Sequence, residues 1–267
     1  MSGSNTAIYR PNNPRWFNHL LRFTYGTYIR VFLGVRAVHT DIFADLRPPY
    51  VIVPNHVTII DPFMVGSFVP EPVYWIASES TLRTRLMRFL LKLVGTIPKS
   101  KFIPDIDTVN AIVHIVRKRK GVIGIFPEGA ASFDGTTMQL TPATGKLLKL
   151  LKVPVIRVII RGGYSAMPRW SWKRRRGPIE IDFAYALSPD DLKRMRSEEI
   201  QEALEDILAH NEADYQRQSG ATYQNSAPAE HLETVLFQCP SCESPHDMCS
   251  RGKRIFCSAC GHGFRID

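Results

Sequence analysis

Apolar and polar positions along the chain follow two rhythms. Unbroken apolar runs occur at Tyr50–Val53, Val73–Ala77, Val122–Phe126, Val153–Ile160 and Ile179–Tyr185. Short runs without alternation read as strands covered on both faces, as in a mostly parallel sheet. Between them the period changes to helical. Arg83–Leu93 and Thr144–Leu151 fit helices, as does Asp107–Lys120, where Val109, Ile112, Val113 and Val116 share a face. The basic end Arg117–Lys120 suits a helix C-terminus, and Gly121 supplies a stop. Ser188-Pro-Asp-Asp191 reads as a capping box opening one amphipathic stretch to about Gln216. Strands alternating with helices predict an α/β layer fold with a mixed, mostly parallel sheet flanked by helices.

The first forty residues are different. In RWFNHLLRFTYGTYIRVFLGVR, Arg15, His19, Arg22, Gly26 and Arg30 fall on one narrow helical face, and aromatic and aliphatic side chains cover the rest. Mid-helix arginines make a membrane span expensive, at about 2.5–3.5 kcal/mol each. The pattern predicts an N-terminal amphipathic membrane-associating helical segment, residues 1–40, apolar side down with arginines near headgroup phosphates. A core helix with an exposed basic stripe is the alternative.

Of the 267 residues, 34 are Lys or Arg and 25 Asp or Glu, a net charge of +9 that favours polyanions: nucleic acid, an anionic membrane surface or phosphorylated substrates. A hydrophobic share of 44% excludes a disordered chain. The opening MSGSNTAIYRPNNPRW lacks the basic-then-apolar layout of a secretory leader, so the expected compartment is reducing and cytoplasmic. All five cysteines lie after residue 238. The pairs Cys239/Cys242 and Cys257/Cys260 are two C-x2-C knuckles whose four thiolates suit a closed, structural Zn2+ site. Gly252, Gly261 and the pieces RIFC and GFRI fit a small zinc ribbon over 237–267, leaving Cys249 and His246 as spare donors. Residues 219–236 read as a linker.

The chemistry-bearing candidates sit at strand ends. His56 follows the first run and Asp61 comes five residues later, before Pro62. A carboxylate on one imidazole nitrogen fixes the tautomer, stabilises the imidazolium and leaves the other nitrogen basic. No nucleophile-elbow serine or cysteine accompanies them, so a substrate hydroxyl would be the nucleophile. Glu128 and Gly129 close a second strand, and Lys99 and Lys101 follow the turn at Gly95.

The order NHVTIID, GTIPKSK, FPEGAAS, VPVIRVIIRGG across residues 45–165 resembles the glycerophospholipid acyltransferase family, typified by 1-acyl-glycerol-3-phosphate acyltransferase. The resemblance implies an acyltransferase domain over 41–218. It also implies transfer of a fatty acyl group from an acyl-CoA or acyl carrier protein to a lysophospholipid hydroxyl at the cytoplasmic face of a membrane, with no cofactor for the transfer and no nucleic acid. His56 would be the base and Asp61 its orienter. Lys101, with Lys99 beside it, would hold the acceptor phosphate; Glu128 and Gly129 would shape the acceptor pocket. The sequence departs from the family at Lys101, where arginine is usual, at Ala130-Ala131, where a polar or basic pair is usual, and at Arg157, where proline is common. Arg157, Arg161 or the Lys173–Arg176 run could supply the lost phosphate contact. A competing reading is a zinc-ribbon adaptor, binding nucleic acid or protein, on a catalytically degenerate form of the same fold.

Overall fold

The computed structural model describes residues 13–78, 89, 91–99 and 106–266. Lys101, and most of the helix expected over Arg83–Leu93, lie outside the described residues. A seven-stranded sheet organises the main body. Its strands are β1 (Val35–Val38), β2 (Val51–Pro54), β3 (Val73–Ser78), β4 (Ile97–Lys99), β5 (Val122–Gly124), β6 (Val155–Arg161) and β7 (Ile179–Leu187). Their order is β1-β7-β6-β2-β5-β3-β4. β2 to β6 run parallel; β7 pairs antiparallel with β6 and parallel with β1.

The central strand β2 shows why its apolar run is unbroken. Tyr50 and Ile52 enter one core cluster, Val51 and Val53 the other, and all four are fully buried. One layer carries the helices α1 (Arg15–Phe32) and α2 (Asp61–Gly66), through Ile29, Met64 and Val65. The opposite layer holds α3 (Ile106–His114) and α4 (Ala143–Leu151). After α5 (Gly163–Ala166) and the long β7, it also receives α6 (Pro189–Arg194) and α7 (Ser197–Leu208). Each fully buried Ile, Leu or Val contributes about 1.5–3 kcal/mol.

Several expectations change in detail. The stretch opened by Ser188 breaks into α6, α7 and α8 (Glu212–Ser219), because Met195 is extended and the side chain of Asn211 caps a fresh start on the N–H groups of Ala213 and Asp214. The Ser188 capping box is present, with the Asp191 carboxylate returning to the Ser188 N–H. Past α3 the chain widens into a π turn over Ile115–Arg119, and Lys120, not Gly121, takes the left-handed stop. Gly121 is needed for space: a Cβ there would meet the Ile115 side chain at 2.7 Å. The sheet begins at Val35, inside the segment assigned to residues 1–40, because β1 is short and paired at the far edge.

α1 presents its apolar side outward, while Arg22 and Arg30 of its polar stripe bond to the protein instead of standing free for headgroups. Its arginine face turns into the protein, where Arg22 donates to the Pro70 carbonyl (2.7 Å) and Arg30 to the Ser67 carbonyl (3.0 Å), over the ring of Phe68. Gly26, buried, faces the Ser67 side chain. Trp16, Leu20, Phe23, Tyr28, Val31 and Phe32 face outward, with Phe23 77% exposed. Among the described residues no helix is long and apolar enough to cross a membrane.

Residues 219–236 do not hang free. Tyr223 is buried in the main core and its hydroxyl donates to Pro178 O (2.9 Å). Arg176 and Gln224 exchange both backbone hydrogen bonds. The tail sheet is β8 (Met248–Arg251), β9 (Arg254–Cys257) and β10 (Gly263–Arg265), all antiparallel, over a core of Cys239, Met248, Ile255 and Cys257.

Candidate active site

β2 ends at Pro54, and the next residues are held from two sides. Asn55 is buried, and its amide uses one donor and one acceptor on a single residue of β6: Nδ2 to Ile160 O (3.2 Å), Oδ1 from Ile160 N–H (2.7 Å). An aspartate could not make that pair. The His56 N–H donates to Glu128 Oε1 (2.7 Å), and the His56 carbonyl accepts from the Ser132 N–H (2.7 Å). The turn at 126–132 therefore braces the histidine backbone.

Asp61, at the start of α2, has no exposed surface. Its Oδ2 accepts from His56 Nδ1 (2.8 Å), Val57 N–H (2.7 Å) and Thr58 N–H (2.9 Å); its Oδ1 accepts from the Thr58 hydroxyl (2.5 Å). Two backbone N–H donors thus converge with the imidazole on a single carboxylate oxygen. An ionised carboxylate accepts only, so Nδ1 carries hydrogen and Nε2 is the free base. Nε2 has no hydrogen-bond partner among the described residues, and the His56 side chain is 18% exposed. The ring lies 4.3 Å from Phe126, which stacks on Trp75. Gly124 makes this shelf possible, since a Cβ there would stand 2.2 Å from the Trp75 ring.

The hydroxyls flanking His56 point inward. Thr58 donates to Asp61, and Ser132 donates to Thr136 O (2.6 Å) while accepting from the Gly135 N–H. An activated nucleophile must arrive with a substrate. Ile59, 84% exposed, and Phe63, which meets Tyr25 of α1 edge-on, carry apolar surface from α1 to the rim of His56.

The remaining sequence candidates separate. Both Glu128 oxygens are occupied, by the N–H groups of His56 and Met138 (2.8 Å), so this carboxylate positions the base. Burial raises its pKa despite those two bonds. Gly129 has φ +72 with space around it, so the left-handed turn is what requires glycine. Lys99 is exposed at the end of β4, three strand spacings from β2, about 14 Å. Arg157 is on the sheet face opposite α2 and pairs with Asp182 (3.1 Å). Asp182 also takes Arg161 (3.0 Å) and His39 (2.8 Å). Burial would raise the Asp182 pKa, but the His39 hydrogen bond and both arginine charges hold it below the ordinary carboxylate value. Arg157 and Arg161 thus belong to a structural charge cluster away from His56.

Two further residues matter here that the sequence does not single out. Arg169 donates to Ala131 O (3.2 Å), which puts an exposed guanidinium against the residue next to Ser132 and hence two peptides from His56. Glu212, buried, accepts from the N–H groups of Gly162 (3.1 Å) and Ser165 (3.2 Å) and pairs with His210, fixing the loop that packs on Val57. Neither sits in a recognisable spacing; only the long GGYSAMPRW loop, unusual in composition, points toward them.

The Acyltransferase family profile matches residues 35–161, the span from β1 to the end of β6 that contains His56, Asp61 and Glu128. Residues 35–161, a little under half of the chain, are thus similar to the Acyltransferase family. The chain is 25% identical over 198 residues to a 1-acyl-sn-glycerol-3-phosphate acyltransferase of Saccharomyces cerevisiae, covering 73% of this chain and 63% of that protein. It is 22% identical over 174 residues to the protein of that name from Limnanthes alba, covering 64% and 62%. The chain thus spans somewhat under two thirds of the curated relatives it matches. Its fold is that of the crystal structure of the 1-acyl-sn-glycerophosphate (LPA) acyltransferase PlsC from Thermotoga maritima, with a TM-score of 0.62 at 18% identity, over 79% of this chain and 83% of that one.

Beyond the matched span, the sulfurs of Cys239, Cys242, Cys257 and Cys260 all lie within 4.8 Å of one another. Cys239–Cys260 and Cys242–Cys257 are both 3.7 Å apart. A tetrahedral metal with 2.3 Å bonds to sulfur requires edges of about 3.8 Å, so the four thiols fit one. The Ser241 N–H points at Cys239 Sγ (3.4 Å), as expected around a thiolate ligand.

Proposed function

We propose that this protein transfers a fatty acyl group from an acyl thioester, on CoA or a carrier protein, to the free hydroxyl of a lysophospholipid, with 1-acyl-glycerol-3-phosphate the favoured acceptor. The observation that carries the reading is the His56–Asp61 pair, with one imidazole nitrogen held by a buried carboxylate, the other unpartnered among the described residues, and both flanking hydroxyls turned away from attack. Nε2 of His56 takes the proton as the acceptor oxygen bonds to the thioester carbonyl carbon. The C–S bond then breaks and the imidazolium returns its proton to the departing sulfur, giving an ester and a free thiol. Asp61 stabilises the imidazolium while it exists. Glu128 holds the base in place through its backbone.

The names of the relatives and the apolar path from α1 through Phe63 and Ile59 support a lipid acceptor delivered along a membrane interface. Arg169 is the cation best placed for the acceptor phosphate among the described residues, with Lys99 a more distant candidate; Lys101 remains the candidate that the family resemblance implies. The outward face of α1 seats the protein on the cytoplasmic leaflet without spanning it. The cysteine module holds one structural Zn2+ and takes no part in the chemistry. Incubating the protein with labelled acyl-CoA and a panel of lysolipids tests the assignment: one acylated lysolipid product with wild type and none with His56→Ala is expected, and unchanged turnover by His56→Ala refutes it.

A further inference from the structure

The segment following the GGYSAMPRW loop is SWKRRRG, and the catalytic reading uses none of it. Lys173, Arg174 and Arg176, with Gln224, Asn225 and Ser226 from the docked tail, line a shallow depression of about 410 Å³. Arg174 reaches the C-terminus of α1, donating to the carbonyls of Phe32 (2.9 Å) and Leu33. The depression is therefore stitched to the helix end where Tyr28 and Phe32 stack outward. Beside it stands Trp172, 85% exposed, its ring stacked on His231 at 4.3 Å.

Charge is poorly balanced there. Arg176 makes no ion pair among the described residues. Lys173 meets Glu230 at 3.3 Å, an exposed pair worth little. Burial lowers the Arg174 pKa, and the adjacent charge of Arg176 lowers it further. An anion would relieve this repulsion. An exposed indole backed by His231 and set beside clustered cations, continuous with an outward aromatic helix face, has the composition of a surface that meets lipid headgroups.

We infer that Trp172, Lys173, Arg174 and Arg176 form a seat for the phosphate of an anionic phospholipid, a second contact with the bilayer that extends the α1 face and is held in place by the C-terminal module. The inference rests on the interfacial reading of α1. The tail segment then has a mechanical purpose: through Gln224, Asn225 and the Pro228 carbonyl that accepts from Arg175, it fixes the cationic loop. Membrane recognition is divided, with α1 supplying lipid-independent apolar burial and the loop supplying preference for negative charge.

Vesicle flotation of the whole chain separates the two. Phosphatidylcholine vesicles with and without phosphatidylglycerol are compared for wild type, Lys173→Gln/Arg176→Gln and Phe23→Ala. Each cation near an anionic leaflet strengthens binding about fivefold, so the double variant is expected to lose about 25-fold on phosphatidylglycerol vesicles and nothing on pure phosphatidylcholine. Phe23→Ala is expected to weaken binding to both. If the double variant keeps its preference for phosphatidylglycerol, the headgroup seat is overturned. Equal loss on both vesicle types, or a raised donor KM with unchanged flotation, overturns it too, the latter in favour of a soluble thioester's phosphates. If Phe23→Ala floats as wild type does on both, the interfacial reading of α1 fails by itself.

Discussion

Replacing Asp61 with asparagine separates two ways in which a carboxylate can serve a histidine. The sequence suggests that the amide would invert the tautomer. The geometry argues otherwise. Oδ2 accepts from three N–H groups, whereas Oδ1 accepts one hydroxyl. An amide nitrogen placed at the Oδ2 position would face the Val57 and Thr58 N–H groups, donor against donor. At the Oδ1 position it faces Thr58 Oγ1, which can turn and accept. The substituted side chain therefore keeps its oxygen toward His56, the tautomer survives, and what disappears is the negative charge. For charges about 4 Å apart at an effective dielectric of 20, that charge contributes about 4 kcal/mol to the imidazolium. Since about 1.4 kcal/mol is tenfold, Asp61→Asn should slow acyl transfer roughly a thousandfold, with a folded, membrane-binding protein. Thr58→Val is the control: it removes the 2.5 Å hydroxyl bond, costs about 1 kcal/mol of stability and leaves the charge, so the rate should stay within about tenfold. Initial rates under saturating acyl-CoA and lysolipid, with thermal melts alongside, read both. An Asp61→Asn enzyme within about tenfold of wild type, or a Thr58→Val enzyme as slow as Asp61→Asn, would refute the electrostatic argument.

Arg169→Ala should raise KM for a phosphorylated acceptor about tenfold while leaving the donor KM alone, because a charged hydrogen bond is worth about 1.5–3 kcal/mol; a donor-only effect in steady-state kinetics would reassign it. Metal analysis should find one zinc per chain, lost in Cys242→Ser and kept in Cys249→Ser, since Cys249 stands outside the four-sulfur group; retained metal in Cys242→Ser would remove the site. Asp182, whose folded pKa is depressed, contributes stability above its unfolded value near 4 and loses it as pH falls through the lower folded value. In acid unfolding, the advantage of wild type over Asp182→Asn should therefore shrink below about pH 4, and a constant difference would show that the cluster is not titrating.

Much of this is legible without coordinates. Continuous apolar runs name five of the seven strands of the main sheet, because a strand buried on both faces has no polar register to hide in. β1 and β4 escape because an edge strand of three or four residues leaves almost no pattern. His56 and Asp61 stand out by spacing and strand-end position, but the partners that fix them, Asn55 to Ile160 and Glu128 to Met138, join residues 105 and 10 positions apart and carry no local signature. Glu128 reads as a substrate contact from its strand-end position and the family resemblance, and Arg157 as a cation that could replace a lost phosphate contact. The sequence cannot show that the first accepts from two backbone donors and the second pairs with Asp182. The α1 stripe is visible in the sequence, but the protein partners of Arg22 and Arg30 are not, since arginine caps loop carbonyls as readily as it meets phosphate.

Tyr223 changes how the molecule can be taken apart. Its ring lies against Gly177, where any Cβ would collide at 2.2 Å, and its hydroxyl closes on Pro178 at the entry to β7. Cutting the chain after α8, the natural place to isolate a minimal enzyme, would pull a plug from the hydrophobic interior and leave Pro178 O without its donor. Shortened versions should end beyond Asn225 rather than before it, and any protein fused to this one is better carried elsewhere than at a cut made there.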